Sequence, residues 1–166
     1  MKETVIHPFD PIYDRDSRIL ILGTIPSPKS REQKFYYGHP QNRFWRIMTD
    51  IFGEKPLLTV SEKCDFLHKH HIALWDVFAS CEIRGADDSS IRNAVPNDLD
   101  LIFDGCKIRA VFTNGGKASA AYRKFFPEHH SIPWYPLPST SPANCRNWTY
   151  ETLCEAWRII RATSLA

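Results

Sequence analysis

The sequence predicts an α/β fold, a parallel sheet covered by helices on both faces. Three observations carry that prediction. Short continuous apolar runs recur along the chain, as expected of strands buried on both sides. Stretches with helical spacing of apolar residues separate them. The segments that follow the runs are rich in Gly, Pro, Ser, Thr and Asn. These residue types make tight turns and allow close backbone approach.

The first run is "SRILILGT", residues 17–24, which ends at a glycine. "HIALWDVF" (71–78) and "IRAVFTN" (108–114) have the same character. "SIPWYPLPST" (131–140) is a fourth candidate, and its prolines predict a short or edge strand. Between the first two runs, Phe44, Ile47, Met48, Ile51 and Phe52 fall on one helical face, with Asn42 as N-cap and Gly53 as the stop. Residues 61–69 form a weaker helix, and Asn97 is placed to cap "DLDLIF". "GGKASAAYRKFF" (115–126) combines a glycine start with good helix formers. Tyr150, Leu153, Cys154, Trp157 and Ile160 mark an amphipathic final helix.

The chain has 166 residues, enough for one domain with a real core, and residues 1–166 read as one unit with a short N-terminal arm. It is expected to act as a monomer. Hydrophobic residues make up 43% and charged residues 24%, ordinary values for a globular protein. The net charge of +2 gives no global basic field, so a nucleic-acid partner would have to be met by a local patch. The five cysteines form no C-x-x-C pair, and their number is odd. Neither a disulfide framework nor a zinc site is expected. Convergence of four of them on an iron–sulfur cluster is less favoured than reduced, buried thiols in a cytoplasmic protein. No stretch reads as a signal peptide or a membrane span.

In a parallel sheet with this alternation, ligands bind beyond the carboxyl ends of the strands. The segments there are "GTIPSPKS", "DVFASCEIRGADDSS", "TNGGKAS" and "LPSTSPANCR". "GTIPSPKS" is neither a P-loop nor a dinucleotide fingerprint. Its Gly23, Ser27, Lys29 and Ser30 can hold a phosphate or a carbonyl edge, or can be an ordinary turn. From Lys29 to Arg46, five basic residues face a single acid and are interleaved with Phe35, Tyr36, Tyr37, Phe44 and Trp45. That mixture suits backbone phosphates and a stacked base. Phe44 belongs to the core stripe. Tyr36 and Tyr37 precede the helix and suit a pocket. His68, His70 and His71 lack the spacing of a metal site. Asp87 and Asp88 read as a solvated loop rather than a cation site.

The blocks "GTIPSPKS…YYGHPQNRFW" and "LPSTSPAN" together resemble the uracil-DNA glycosylase superfamily, most closely its hypoxanthine-DNA (deoxyinosine) glycosylase branch. The mismatch-specific branch shares a similar HP-x-N-x-FW stretch. The resemblance implies a three-layer α/β/α sandwich with a four-stranded parallel sheet. It also implies extrusion of a damaged base from DNA and hydrolysis of its N-glycosidic bond, with no metal or redox cofactor. The partner is then DNA containing a deaminated base.

By the same resemblance, Ile25 stands where the mismatch-specific branch carries a water-positioning Asn. Leu137 stands where uracil enzymes carry a His before Pro-Ser. The catalytic amide then falls to Asn42, whose oxygen is expected to orient water without bearing charge. Tyr37 matches the aromatic that stacks on the base. Gly23, Thr24, Ile25 and Pro26, with His39 and Asp76, are the further base-binding candidates. His39 could equally fix its loop, and Asp76 could cap a turn. Ser139, Thr140 and Ser141 are expected on DNA phosphates with Ser27, Lys29, Ser30 and Arg146. Pro142 and Ala143 would fill the gap left by the extruded nucleotide.

Two other readings are compatible with the residues. One is a catalytically weak or inactive nucleic-acid-binding protein of the same fold, suggested by Ile25 and Leu137. The other is a serine hydrolase using Ser27 or Ser139, although G-x-S-x-G is absent.

Overall fold

The computed structural model describes residues 2–165, except for the side chain of His130. At its centre lie β2 (Ile19–Gly23), β3 (Ile72–Asp76), β6 (Ala110–Asn114) and β7 (Trp134–Leu137), in the order β3-β2-β6-β7 and all parallel. Every residue of β2, β3 and β6 is buried, which is why these runs are continuously apolar. β7 is short and lies at the edge, where Pro136 can be tolerated because one side of the strand needs no ladder bonds.

Helices cover both faces, giving the α/β/α sandwich. α2 (Phe44–Phe52) buries Phe44, Ile47, Met48 and Ile51 and ends at Gly53. It begins two residues after Asn42, and Arg43 holds the N-cap position. Asn42 still serves the helix start, because its side-chain oxygen accepts the Phe44 N–H at 3.0 Å. α3 (Val60–Lys69) is capped by Thr59. α5 (Gly116–Phe125) packs against β6 and β7. The final helix is two pieces, α6 (Tyr150–Trp157) and α7 (Ile159–Ser164), parted at Arg158. Trp157 of α6 meets Phe44 of α2 edge to face, with ring centres 5.8 Å apart.

Three parts of the chain differ from expectation. A second, antiparallel sheet runs β1-β4-β5, built from β1 (Glu3–Ile6), β4 (Phe78–Arg84) and β5 (Asp87–Pro96). The polar segment 79–91 is therefore a hairpin and not a loop. Phe78, Cys81 and Ile83 turn inward, and register shifts spoil the simple alternation that would have marked the strands. Within "GTIPSPKS", a short helix α1 (Pro28–Gln33) starts at Ser27, whose hydroxyl caps it. Asn97 caps nothing. The helix α4 (Asp100–Gly105) starts later, and the buried Asn97 amide donates to the carbonyls of Asp76 and Phe78.

Among the described residues, no helix is long and apolar enough to cross a membrane. All five cysteines are free. Cys81, Cys106 and Cys154 are buried, Cys64 is half-buried and Cys145 is exposed.

Candidate active site

Parallel register puts Gly23 beside Asp76, and Asn114 beside Leu137, at the carboxyl edge of the central sheet. A cavity of about 110 Å³ opens there. Gly23, Thr24, Ile25 and Pro26 form part of its wall, with Tyr37, Asn42 and Asp76. Ser27, Ser30, Ser139, Thr140 and Ser141 also reach it. The two sequence blocks, about a hundred residues apart, thus meet at one place.

Gly23 is required by close approach. A Cβ there would stand 2.4 Å from Asp76 Oδ1 and 2.8 Å from the Tyr37 hydroxyl. Tyr37 itself has a positive φ of 54°, an uncommon conformation for an aromatic residue. Its ring stacks on Phe44, with centres 4.1 Å apart and planes inclined by 21°. Phe44 thereby backs one face of the ring and closes that face to a ligand. The phenol oxygen is buried without a well-aligned hydrogen bond, although Asn114 lies alongside.

Asn42 is held by a relay of buried groups. Its Oδ1 accepts from Phe44 N–H and from the Thr140 hydroxyl at 2.8 Å. Thr140 in turn accepts from Asn114 Nδ2 at 3.0 Å, and its backbone N–H donates to Asn114 Oδ1 at 3.0 Å. Thr140 is fully buried. Both lone-pair directions of the Asn42 oxygen are taken, so that oxygen is not free to orient water as expected. The amide nitrogen is the end left without a partner among the described residues.

Arg43 fastens the same loop to the last one. Its guanidinium donates to the carbonyls of Trp148 (2.8 Å) and Ser141 (3.3 Å), and its backbone N–H donates to Thr140 O at 3.1 Å. Gly115, at φ 97°, lets its N–H reach Leu137 O while leaving room for Ser139, which lies 3.1 Å from where a Cβ would be.

Other candidates are placed differently. His39 lines a neighbouring groove with Tyr37 and Asn42, and its Nδ1 accepts the Gln41 N–H, a loop-fixing role. Ser30 is buried and its hydroxyl accepts from Gly38 N–H, tying α1 to the tyrosine loop. Lys29 is exposed and paired with Glu32. Pro142 starts a short 3-10 turn, capped by Ser141 and outside the cavity wall. Ala143 and Arg146 are exposed nearby on the same loop. Ser27 bonds Ser30 and Ser139 accepts from Ser141 N–H. Neither has a histidine partner among the described residues, so the serine-hydrolase reading loses its base.

Three site features were not legible in the sequence. The hairpin brings Asp88 to the rim of the cavity; the residue stays exposed, yet lost hydration on its cavity side, set against Lys117 and Thr24 and reinforced by Asp76 and Asp87, pushes its carboxyl up to about 6. The hydroxyls of Tyr36 and Tyr37 are pushed well above the usual range by burial first and by Asp76 second, so both stay protonated. Behind Asp76 lies His7, with Nε2 2.7 Å from Asp76 Oδ2. Among the described residues, no three His, Cys, Asp or Glu side chains gather as metal ligands would.

Comparison with known proteins agrees with this architecture. Residues 11–161 match the family described as the Uracil DNA glycosylase superfamily. A protein of Methanosarcina acetivorans named hypoxanthine DNA glycosylase is 34% identical over 142 residues, covering 83% of this chain and 87% of its own. One of the same name from Methanosarcina barkeri is 34% identical over 112 residues, covering 66% of this chain and 71% of its own. A solution NMR structure, described as a candidate uracil DNA glycosylase from Methanosarcina acetivorans, superposes with a TM-score of 0.82 at 31% identity, covering 98% of this chain and 99% of that one. With most of its length matched in sequence and in fold, the chain belongs to the uracil-DNA glycosylase superfamily.

Proposed function

We propose that the protein is a monofunctional DNA glycosylase. It hydrolyses the N-glycosidic bond of a deaminated base, hypoxanthine first and uracil second, and so opens base-excision repair. The observation that carries this reading is the Asn42–Thr140–Asn114 relay, which fixes a neutral amide at a cavity shared with the Tyr37 ring and Asp76. The relatives named hypoxanthine DNA glycosylase support the choice of base.

Departure of the base leaves oxocarbenium character on the sugar and negative charge on the base. Such a sugar needs a water placed on C1′ more than it needs a strong base. With its oxygen engaged, Asn42 acts through Nδ2, donating to the oxygen of that water and holding it in place; the other lone pair of the water adds to C1′ as the C1′–N bond breaks, and the proton the water loses ends on the departing base. The extruded base stacks on the open face of Tyr37, and Asp76 accepts from a ring N–H at the base edge. The protein acts as a monomer, with Arg146 and the exposed end of the last loop on the DNA backbone.

The test is incubation without added metal with duplexes carrying hypoxanthine, uracil, xanthine or a thymine mismatch, followed by alkaline strand cleavage. Hypoxanthine is cut fastest. Asn42→Ala lowers its rate roughly 100-fold or more, the range for losing a preorganised amide. Equal rates for Asn42→Ala and wild type would remove Asn42 from catalysis. Binding without cleavage of all four would favour the non-catalytic reading, to which the apolar Ile25 in the cavity wall lends support.

A further inference from the structure

The imidazole of His7 is buried and has no part in the chemistry above. It follows β1 in the N-terminal arm, and its backbone N–H donates to Ala79 O at 2.7 Å. The ring sits between Phe9 and Tyr36, with centres 5.5 and 5.8 Å away. Its Nδ1 accepts the Phe9 backbone N–H at 3.3 Å. A backbone N–H can only donate, so Nδ1 carries no proton and the ring proton is on Nε2. Nε2–H therefore donates to Asp76 Oδ2 at 2.7 Å, between side chains only 4% and 5% exposed.

One carboxylate oxygen of Asp76 is thus occupied and the plane of the group is set. The other, Oδ1, lies against Gly23 and has no hydrogen-bond partner among the described residues. We propose that His7 is a positioning residue for base recognition. It holds Asp76 so that Oδ1 is a fixed acceptor for the ring N–H beside a carbonyl, N1–H in hypoxanthine and N3–H in uracil. This assignment rests on the glycosylase reading. Deamination places a proton where adenine N1 and cytosine N3 offer a lone pair, and a lone pair facing a carboxylate is repelled. The N-terminal arm, paired with β4 and anchored by the Glu3–Arg31 ion pair at 2.9 Å, becomes part of the selectivity apparatus.

The experiment compares wild type, His7→Phe and His7→Gln in the full chain. Single-turnover excision of hypoxanthine and of uracil should fall roughly 10- to 100-fold in His7→Phe, the worth of a charge-assisted hydrogen bond. Affinity for a duplex carrying a tetrahydrofuran abasic analogue should stay within about twofold, because that ligand has no base to read. His7→Gln, which keeps an N–H donor, should recover most of the rate. Wild-type rates in His7→Phe, or an equal loss of abasic-DNA affinity, would overturn the proposal. So would failure of glutamine to rescue. Imidazole nitrogen shifts should also report the Nε2–H tautomer of His7, and an Nδ1–H tautomer would refute the assignment whatever the activity. Should wild type excise no base at all, the glycosylase reading falls, and the imidazole spectrum alone decides whether His7 fixes Asp76.

Discussion

Replacing Thr140 with valine removes one hydroxyl and keeps the shape of a fully buried side chain. That hydroxyl makes two hydrogen bonds, donating to Asn42 Oδ1 and accepting from Asn114 Nδ2. Each is worth about 1 kcal/mol net, and stranding the Asn114 amide in the interior adds about 1–3 kcal/mol. The loss is then about 2–4 kcal/mol, allowing for overlap between the terms. For a chain of this size that lowers Tm by roughly 5–15 °C. Asn42 keeps the Phe44 N–H and loses its second anchor. A displacement of about 1 Å at a reacting centre can cost about 100-fold, so the single-turnover rate on hypoxanthine DNA should fall roughly 10- to 100-fold. Thr140→Ser retains both bonds and should lie close to wild type in rate and in Tm. The measurements are thermal melts by circular dichroism and single-turnover cleavage at a temperature where every variant is folded. A folded Thr140→Val protein with the wild-type rate would refute the relay. Equal damage in Thr140→Ser would assign the effect to the methyl group.

Gly23→Ala should abolish excision, because its Cβ would stand 2.4 Å from Asp76 Oδ1 and drive either the carboxylate or the strand end aside; a variant with normal activity would show that the wall yields freely. Tyr37→Ala should lower excision by the roughly 1–3 kcal/mol of one base–aromatic stack. Tyr37→Phe should be nearly neutral in rate and melting temperature, since the buried hydroxyl makes no well-aligned hydrogen bond. Asp88→Asn tests a charge. With its carboxyl raised from 3.8 to about 6, the folded protein keeps a proton there that the unfolded chain has already released. Its contribution to stability is therefore complete below 3.8 and lost as pH rises to about 6. Asp88→Asn should accordingly melt higher than wild type above pH 6 and like it below pH 4. Ionised Asp88 also opposes negative charge growing on the departing base. Excision by wild type should therefore decline through about pH 6, and Asp88→Asn should remove that limb of the profile.

The central sheet was readable because burial on both faces leaves an unmistakable mark, as in "ILILG" and "AVFTN". The hairpin was not, because "CEIRGADDSS" carries the composition of a loop and only Cys81 and Ile83 within it are buried. With the hairpin went Asp88, whose place at the cavity depends on a turn that composition disguises. Asn42 could be singled out only through the family resemblance that "HPQNRFW" carries, and which end of its amide is free depends on Thr140, ninety-eight residues away. Thr140 reads on paper as a phosphate contact beside Ser139 and Ser141. The fold buries it and leaves its neighbours half-exposed, and nothing in the letters "STS" gives that direction. His7 was invisible for the same reason, since its partner lies sixty-nine residues downstream.

The Arg43 clamp grips main-chain oxygens of Thr140, Ser141 and Trp148, and no side chain of the segment between them. Changes at the exposed positions 143, 145, 146 and 147 therefore leave the clamp in place, whereas the Asn144 amide, donating to Ser139 O at 3.1 Å, ties the segment to the cavity wall. Anchorage through main-chain oxygens is in this way separated from the identity of the exposed side chains.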